Sequence, residues 1–133
     1  MVGGMLQTPG MDPTNSQGDP AMTMMVAPQQ FRKDYTFIAP TDFLENFADV
    51  VVPVGAAVLL DGSPLSAPTA RIGNSEWSFA RAPLAATAGG VHTISTDDAR
   101  GCGLQVMGFG FATSYYYPGG LDLKLLSAPP VIH

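Results

Sequence analysis

The chain has 133 residues, of which 46% are apolar and only 13% charged, about half the usual ~25% charged share. That length suits one domain with a core of its own, without disulfides or metals. Eleven acidic against six basic residues give a net charge of −5, and only Arg32 and Lys33 are adjacent, so the clustered basic footprint of a nucleic-acid binder is missing and anionic membrane surfaces are disfavoured.

Residues 1–17 show no sustained periodicity and read as a flexible lead-in or linker. Met1 to Gly10 has neither the basic nor the apolar region of a signal peptide. No stretch reaches the ~20 apolar residues of a membrane span, so no membrane insertion is expected. Gly18-Asp19-Pro20 signals a turn. Ala21 to Val26 is a first strand candidate, its methionines suited to core packing. Tyr35 to Ala39 is β-prone and stops at Pro40. Thr41 is placed to cap one short helical turn through Glu45.

Phe47 to Val54 alternates, with Ala48, Val50, Val52 and Val54 on one face. Val54-Gly55-Ala56 then reads as a hairpin turn, with Ala57 to Leu60 returning and Asp61-Gly62 making the next tight turn. Pro53 ends or bulges the first of these strands. Leu65 to Gly73 fits no pattern. Trp77 to Leu84 reads as a strand, Gly89-Gly90 breaks the chain, and Val91 to Ser95 forms another strand. Gly103 to Phe111 is a long strand softened by glycines. Tyr115-Tyr116-Tyr117 runs into a Pro-Gly-Gly turn. Leu121 to Leu125 alternates as a last strand, and 127–133 reads as an exit linker. The expected fold is all-β: an antiparallel β-sandwich of about seven to eight short strands, jelly-roll-like or Ig-like, spanning 18–126.

Catalytic chemistry finds few candidates. Only two histidines occur, and His133 is the last residue. His92 sits on a predicted strand, on the face of Ile94, and reads as a half-buried, hydrogen-bonded residue. No metal centre is expected. Asp97-Asp98 offers carboxylates for Ca²⁺ but without the spacing of a calcium loop. Gly73-Asn74-Ser75-Glu76-Trp77 starts like a nucleophile elbow and ends wrongly. Asp61 before Gly62 is first a turn former. The lone Cys102 reads as a small buried hydrophobe. The chain is therefore expected to be no enzyme and to need no cofactor.

Aromatic residues remain as candidate contacts. On a strand, Tyr115 and Tyr117 share one face and Tyr116 takes the other. Tyrosine offers a large ring with a polar tip, which suits protein or glycan surfaces. Tyr115, Tyr116, Tyr117 and Trp77 are the candidate binding residues. The competing reading packs all four into the sandwich.

The order of several pieces resembles one known family. Gly18-Asp19-Pro20-Ala21-Met22 is followed by Gln30-Phe31-Arg32-Lys33-Asp34-Tyr35-Thr36-Phe37. Then come Glu45-Asn46-Phe47, Val50 to Val58, Leu60-Asp61-Gly62, Gly90-Val91-His92-Thr93-Ile94 and Met107-Gly108-Phe109. Ser114 to Leu123 closes the set. From Gly18 to Leu126 this resembles the N-terminal domain of the IgG Fc-binding protein family, in the version found in bacterial surface proteins. The resemblance implies a non-catalytic, secreted or cell-surface module for binding or adhesion. Its partner is an unidentified protein or glycan. A structural spacer or assembly unit of a larger surface protein, with self-association, is the alternative. No ligand-binding residue set comes with the resemblance.

Overall fold

A computed structural model of the chain describes residues 3–6 and 18–123. Its strands are β1 (Gly3–Leu6), β2 (Ala21–Met24), β3 (Asp34–Ile38), β4 (Glu45–Pro53), β5 (Val58–Leu60), β6 (Ser63–Pro64), β7 (Ala70–Arg71), β8 (Trp77–Pro83), β9 (Val91–Thr96), β10 (Gly103–Gly110) and β11 (Thr113–Pro118). Two 3-10 turns, Pro28–Gln30 and Ala88–Gly90, link them. One antiparallel sheet has the order β11-β10-β4-β8-β7, the other β3-β9-β5-β6. The two face each other as an all-β sandwich.

Alternation decides what lies between the sheets. Ala48, Val50 and Val52 from β4 and Leu104 and Val106 from β10 meet Tyr35, Phe37, Val58 and Ile94 from the other sheet. Each is 7% exposed or less. Val54, grouped with them by pattern, is exposed, because β4 stops at Pro53. Pro53 lacks a backbone donor, so a strand buried in mid-sheet ends there readily.

The expected hairpin around Gly55 does not form. β4 and β5 belong to different sheets: β4 lies between β10 and β8, and β5 lies between β9 and β6. Gly55, with φ +82°, turns the chain across the sandwich instead of back along it. Both faces of such a corner carry apolar residues, and periodicity cannot tell a corner from a hairpin. Two more expectations fail in the same way. Thr41 to Leu44 forms a turn and a bend with no helix, and Leu121 to Leu123 is not a strand. There, Gly119 and Gly120 swing the chain so that the Asp122 N–H donates to the Gln30 carbonyl, 2.8 Å away. The remainder of that expected strand and the exit linker lie outside the described residues.

The segment 1–17 contributes a strand. β1 pairs antiparallel with β2, Gly3 opposite Met24 and Leu6 opposite Ala21. β2 contacts β11, and the chain after it crosses the outer face of the five-stranded sheet. This cover explains why Gln105, which points away from the sandwich core, is almost fully buried. The Gln105 amide donates to the Met24 carbonyl at 3.4 Å. Beside it Asp49, buried on the same outer face, accepts two bonds from Arg81, at 2.7 and 2.9 Å. The Asp49 carboxylate raises the already high pKa of Arg81 further. Gly18 anchors the start of the cover: its N–H donates to the Gly110 carbonyl at 2.8 Å.

Candidate functional site

β11 is an edge strand, and its three tyrosines divide as alternation requires. Tyr115 and Tyr117 face inward with ring centroids 5.9 Å apart. The Tyr115 hydroxyl donates to Asn46 Oδ1 at 2.6 Å, and its ring meets Phe43 edge-on. The Tyr117 hydroxyl donates to the Ile38 carbonyl on β3, the edge strand of the other sheet. Tyr116 faces outward and donates to Gln105 Oε1. All three rings are half-buried, and burial pushes all three hydroxyls above their ordinary value. Each is thus a neutral donor committed to a partner inside the domain, which leaves little of the polar tip for a ligand.

Trp77 stands differently. It opens β8 on the outward face, next to the tight β7–β8 turn. Ile72 N–H donates to the Trp77 carbonyl at 2.9 Å, and Ser75 Oγ caps the turn on the Ile72 carbonyl at 2.7 Å. The indole meets Phe31 edge-on, ring centroids 5.2 Å apart. Arg100 lies over the ring, 5.9 Å from its centroid. These residues line an open groove of about 430 Å³, walled by Pro28 and Gln29 on one side and by Glu76, Ala99 and Arg100 on the other.

The arginine is held by two carboxylates through three bonds. Its Nε and Nη2 donate to the two oxygens of Asp98, at 3.0 and 2.8 Å, and its Nη1 to Glu76 at 2.9 Å. Hydrogen bonds from the Arg100 side chain and backbone hold the Asp98 carboxyl down at about 2. Both Asp98 oxygens are therefore engaged by a cation of the chain itself. Among the described residues no group of three or more His, Cys, Asp or Glu is arranged to hold a metal ion.

The site thus differs in emphasis from the sequence expectation. Trp77 is brought together with Phe31, Glu76 and Arg100, while the three tyrosines lie elsewhere and are tied down. Arg100 and Phe31 carried no signal in the sequence, because the chain that brings Phe31 to Trp77 is the outer cover, which periodicity does not reveal. The His92–Asp61 pair was also missed as a pair. The two stand 31 residues apart, yet His92 Nδ1 lies 2.7 Å from Asp61 Oδ2. His92 is fully rather than half buried, at 2% exposure.

Comparison with known proteins gives one finding. The family model described as "IgGFc binding protein" matches residues 1–108. The match takes in the segment that supplies β1 and stops before the tyrosine strand. No curated protein and no solved structure matches the chain. With most of its length matched, from the β1–β2 ribbon into β10, the chain belongs to the IgGFc-binding protein family.

Proposed function

We propose that this domain is a non-catalytic, extracellular binding module that engages a protein partner through the Trp77 groove, in the service of adhesion. The carrying observation is an open groove floored by a tryptophan and walled by an arginine whose three side-chain bonds fix it in place. Tryptophan and arginine dominate the energetics of protein interfaces. A side chain held in one conformation before binding loses less entropy on binding. The family's own name points to a protein ligand.

Trp77 is the only tryptophan in the chain, so its fluorescence reports on the groove alone. The first probe is the Fc fragment of IgG, followed by mucin-type and cell-surface proteins. Binding is expected to shift the emission, and Trp77→Ala or Arg100→Ala to weaken affinity by about tenfold or more, as for interface anchors. Tyr116→Phe is expected to bind normally. A partner that binds both groove variants as tightly as the parent refutes the assignment of the groove.

Assembly is favoured by a separate observation. The β1–β2 ribbon presents Met22 and Met24 to solvent, 77% and 55% exposed. Concentration-dependent mass in light scattering, lost in Met22→Ser/Met24→Ser, supports that second role; a monomer at all concentrations dismisses it.

A further inference from the structure

An open sheet edge is a template for another strand unless something blocks it. Most edges of this molecule are blocked. On β3 the Tyr117 hydroxyl takes both outward groups of Ile38, its N–H and its carbonyl. β6 is two residues long and ends in Pro64, which has no N–H. β7 is equally short, and it carries the charge of Arg71, tied to the Ser75 carbonyl at 2.7 Å. β11 has β2 lying against it.

β1 differs from all of these. One of its edges pairs with β2, from Gly3 opposite Met24 to Leu6 opposite Ala21. No strand pairs with its other edge among the described residues. Neither Gly3-Gly4-Met5-Leu6 nor Ala21-Met22-Thr23-Met24 contains a charge or a proline, the usual defences of an edge. Met22 and Met24 alternate with half-buried Ala21 and Thr23 and face solvent. Gly3, opposite Met24, has no side chain to cover it.

Backbone polarity fixes how a strand adds there. The Met24 carbonyl accepts the Gln105 amide at 3.4 Å, so it points to β10 and away from β1. Opposite residues of an antiparallel pair alternate between exchanging both bonds and exchanging neither. Gly3 and Met24 are thus a pair that exchanges neither, and so are Met5 and Met22. The N–H and C=O groups of Gly3 and Met5 therefore point out of the ribbon. This pattern is self-complementary. When two copies meet about a two-fold axis, Gly3 of one stands opposite Met5 of the other, and each such pair exchanges both bonds. Gly4 then faces Gly4 at the narrow spacing of a non-bonded pair, where side chains crowd most. The seam is neutral, so copies that each carry a net charge of −5 can approach along it.

We propose that β1 joins two copies of this chain edge to edge, in an antiparallel ribbon of order β2-β1-β1-β2 with Gly4 on the two-fold axis. This pairing rests on the assembly reading above and gives it a geometry. Opposite residues share a face, so Met24 of one copy and Met22 of the other fall in one row on the solvent side of the joined ribbon. A two-fold contact of this kind uses up both open edges and closes at two copies.

Sedimentation equilibrium of the whole chain tests this, and a monomer–dimer equilibrium without larger species is expected. Position 3 shares the face of exposed Met24, and in this register it lies diagonally across from position 3 of the second copy, about 7–8 Å away. Gly3→Lys and Gly3→Glu are each expected to weaken the dimer several-fold at low salt, and an equal mixture of the two to restore it. Circular dichroism and an unchanged Trp77 emission show that both variants fold. In the parent itself, a nuclear Overhauser contact from Gly4 of an isotope-labelled copy to Gly4 of an unlabelled one is expected. A dimer that lacks this contact, that neither charge disturbs, or whose mixed variants bind no better than each alone overturns the edge pairing and leaves the assembly reading standing. Growth into open-ended oligomers does the same. A parent that stays monomeric, whether or not it takes up a strand from another protein, overturns both.

Discussion

At the scale of single residues, the phenols give the sharpest expectation. All four tyrosines of the chain, Tyr35, Tyr115, Tyr116 and Tyr117, have raised pKa values, with burial as the largest cause. Tyr35 donates to the Cys102 carbonyl at 2.6 Å and accepts the Arg32 N–H at 3.0 Å, which ties the entrance of β3 to that of β10. A raised folded value means that the unfolded chain loses its phenolic protons first. The stability these groups contribute is full below the ordinary value of 10.0 and is lost as pH rises through the folded values. Ultraviolet titration is therefore expected to show no tyrosine ionising at its ordinary value and to show phenolate appearing together with unfolding. Phenolate formed at the ordinary value with the fold intact contradicts the hydroxyl network. Alternation made it legible in the sequence that Tyr116 faces away from Tyr115 and Tyr117. Their hydroxyl partners were not legible, since Ile38 and Asn46 reach them only through the folded sandwich.

At the scale of elements, close approach sets which substitutions the strands accept. β10 carries glycine at position 108, between Glu45–Asn46 of β4 and Tyr115 of β11. A Cβ there meets the Tyr115 ring, Asn46 Oδ1 and the Glu45 carbonyl together. Gly108→Ala is expected to cost about 1–3 kcal/mol, the usual penalty for overpacking, measured as a lower denaturation midpoint. An unchanged midpoint shows that β10 and β11 shift apart freely. Strand existence was readable here: Gly103 to Phe111, Trp77 to Leu84 and Val91 to Ser95 match β10, β8 and β9 closely. What pairs with what was not. β4 joins β10 across more than fifty residues of chain, and the short β6 and β7 hold two residues each, too few for any periodic signal. The β4–β5 corner was misread because the apolar pattern of a corner is the same as that of a hairpin.

At the scale of the whole molecule, the β1–β2 ribbon makes the sandwich a partly three-layered body. Without it, Gln105 of β10 loses the Met24 carbonyl that its amide bonds, and β11 loses the strand that lies against it. Removing residues 1–17 also takes away the backbone partner of β2. The shortened chain is expected to melt several degrees lower than the parent, since about 1 kcal/mol moves a domain of this size by roughly 4 °C. Equal melting temperatures in calorimetry mean that the ribbon contributes nothing to the fold.

The closure between β3 and β11 has a mechanical consequence. These edge strands of opposite sheets are stitched there by one phenol on the Ile38 backbone, from which the Ile38 N–H also returns a bond of 3.3 Å, rather than by a ladder. Gly18 and Asp19 hang on the β10–β11 hairpin through two bonds, to Gly110 and Ser114. A pull applied between the Gly18 turn and the end of β11 therefore loads isolated contacts in turn and not a row of them in shear. Under such a pull these isolated contacts are loaded before any ladder, while β4, between β10 and β8 at the centre of its sheet, stays shielded from the load.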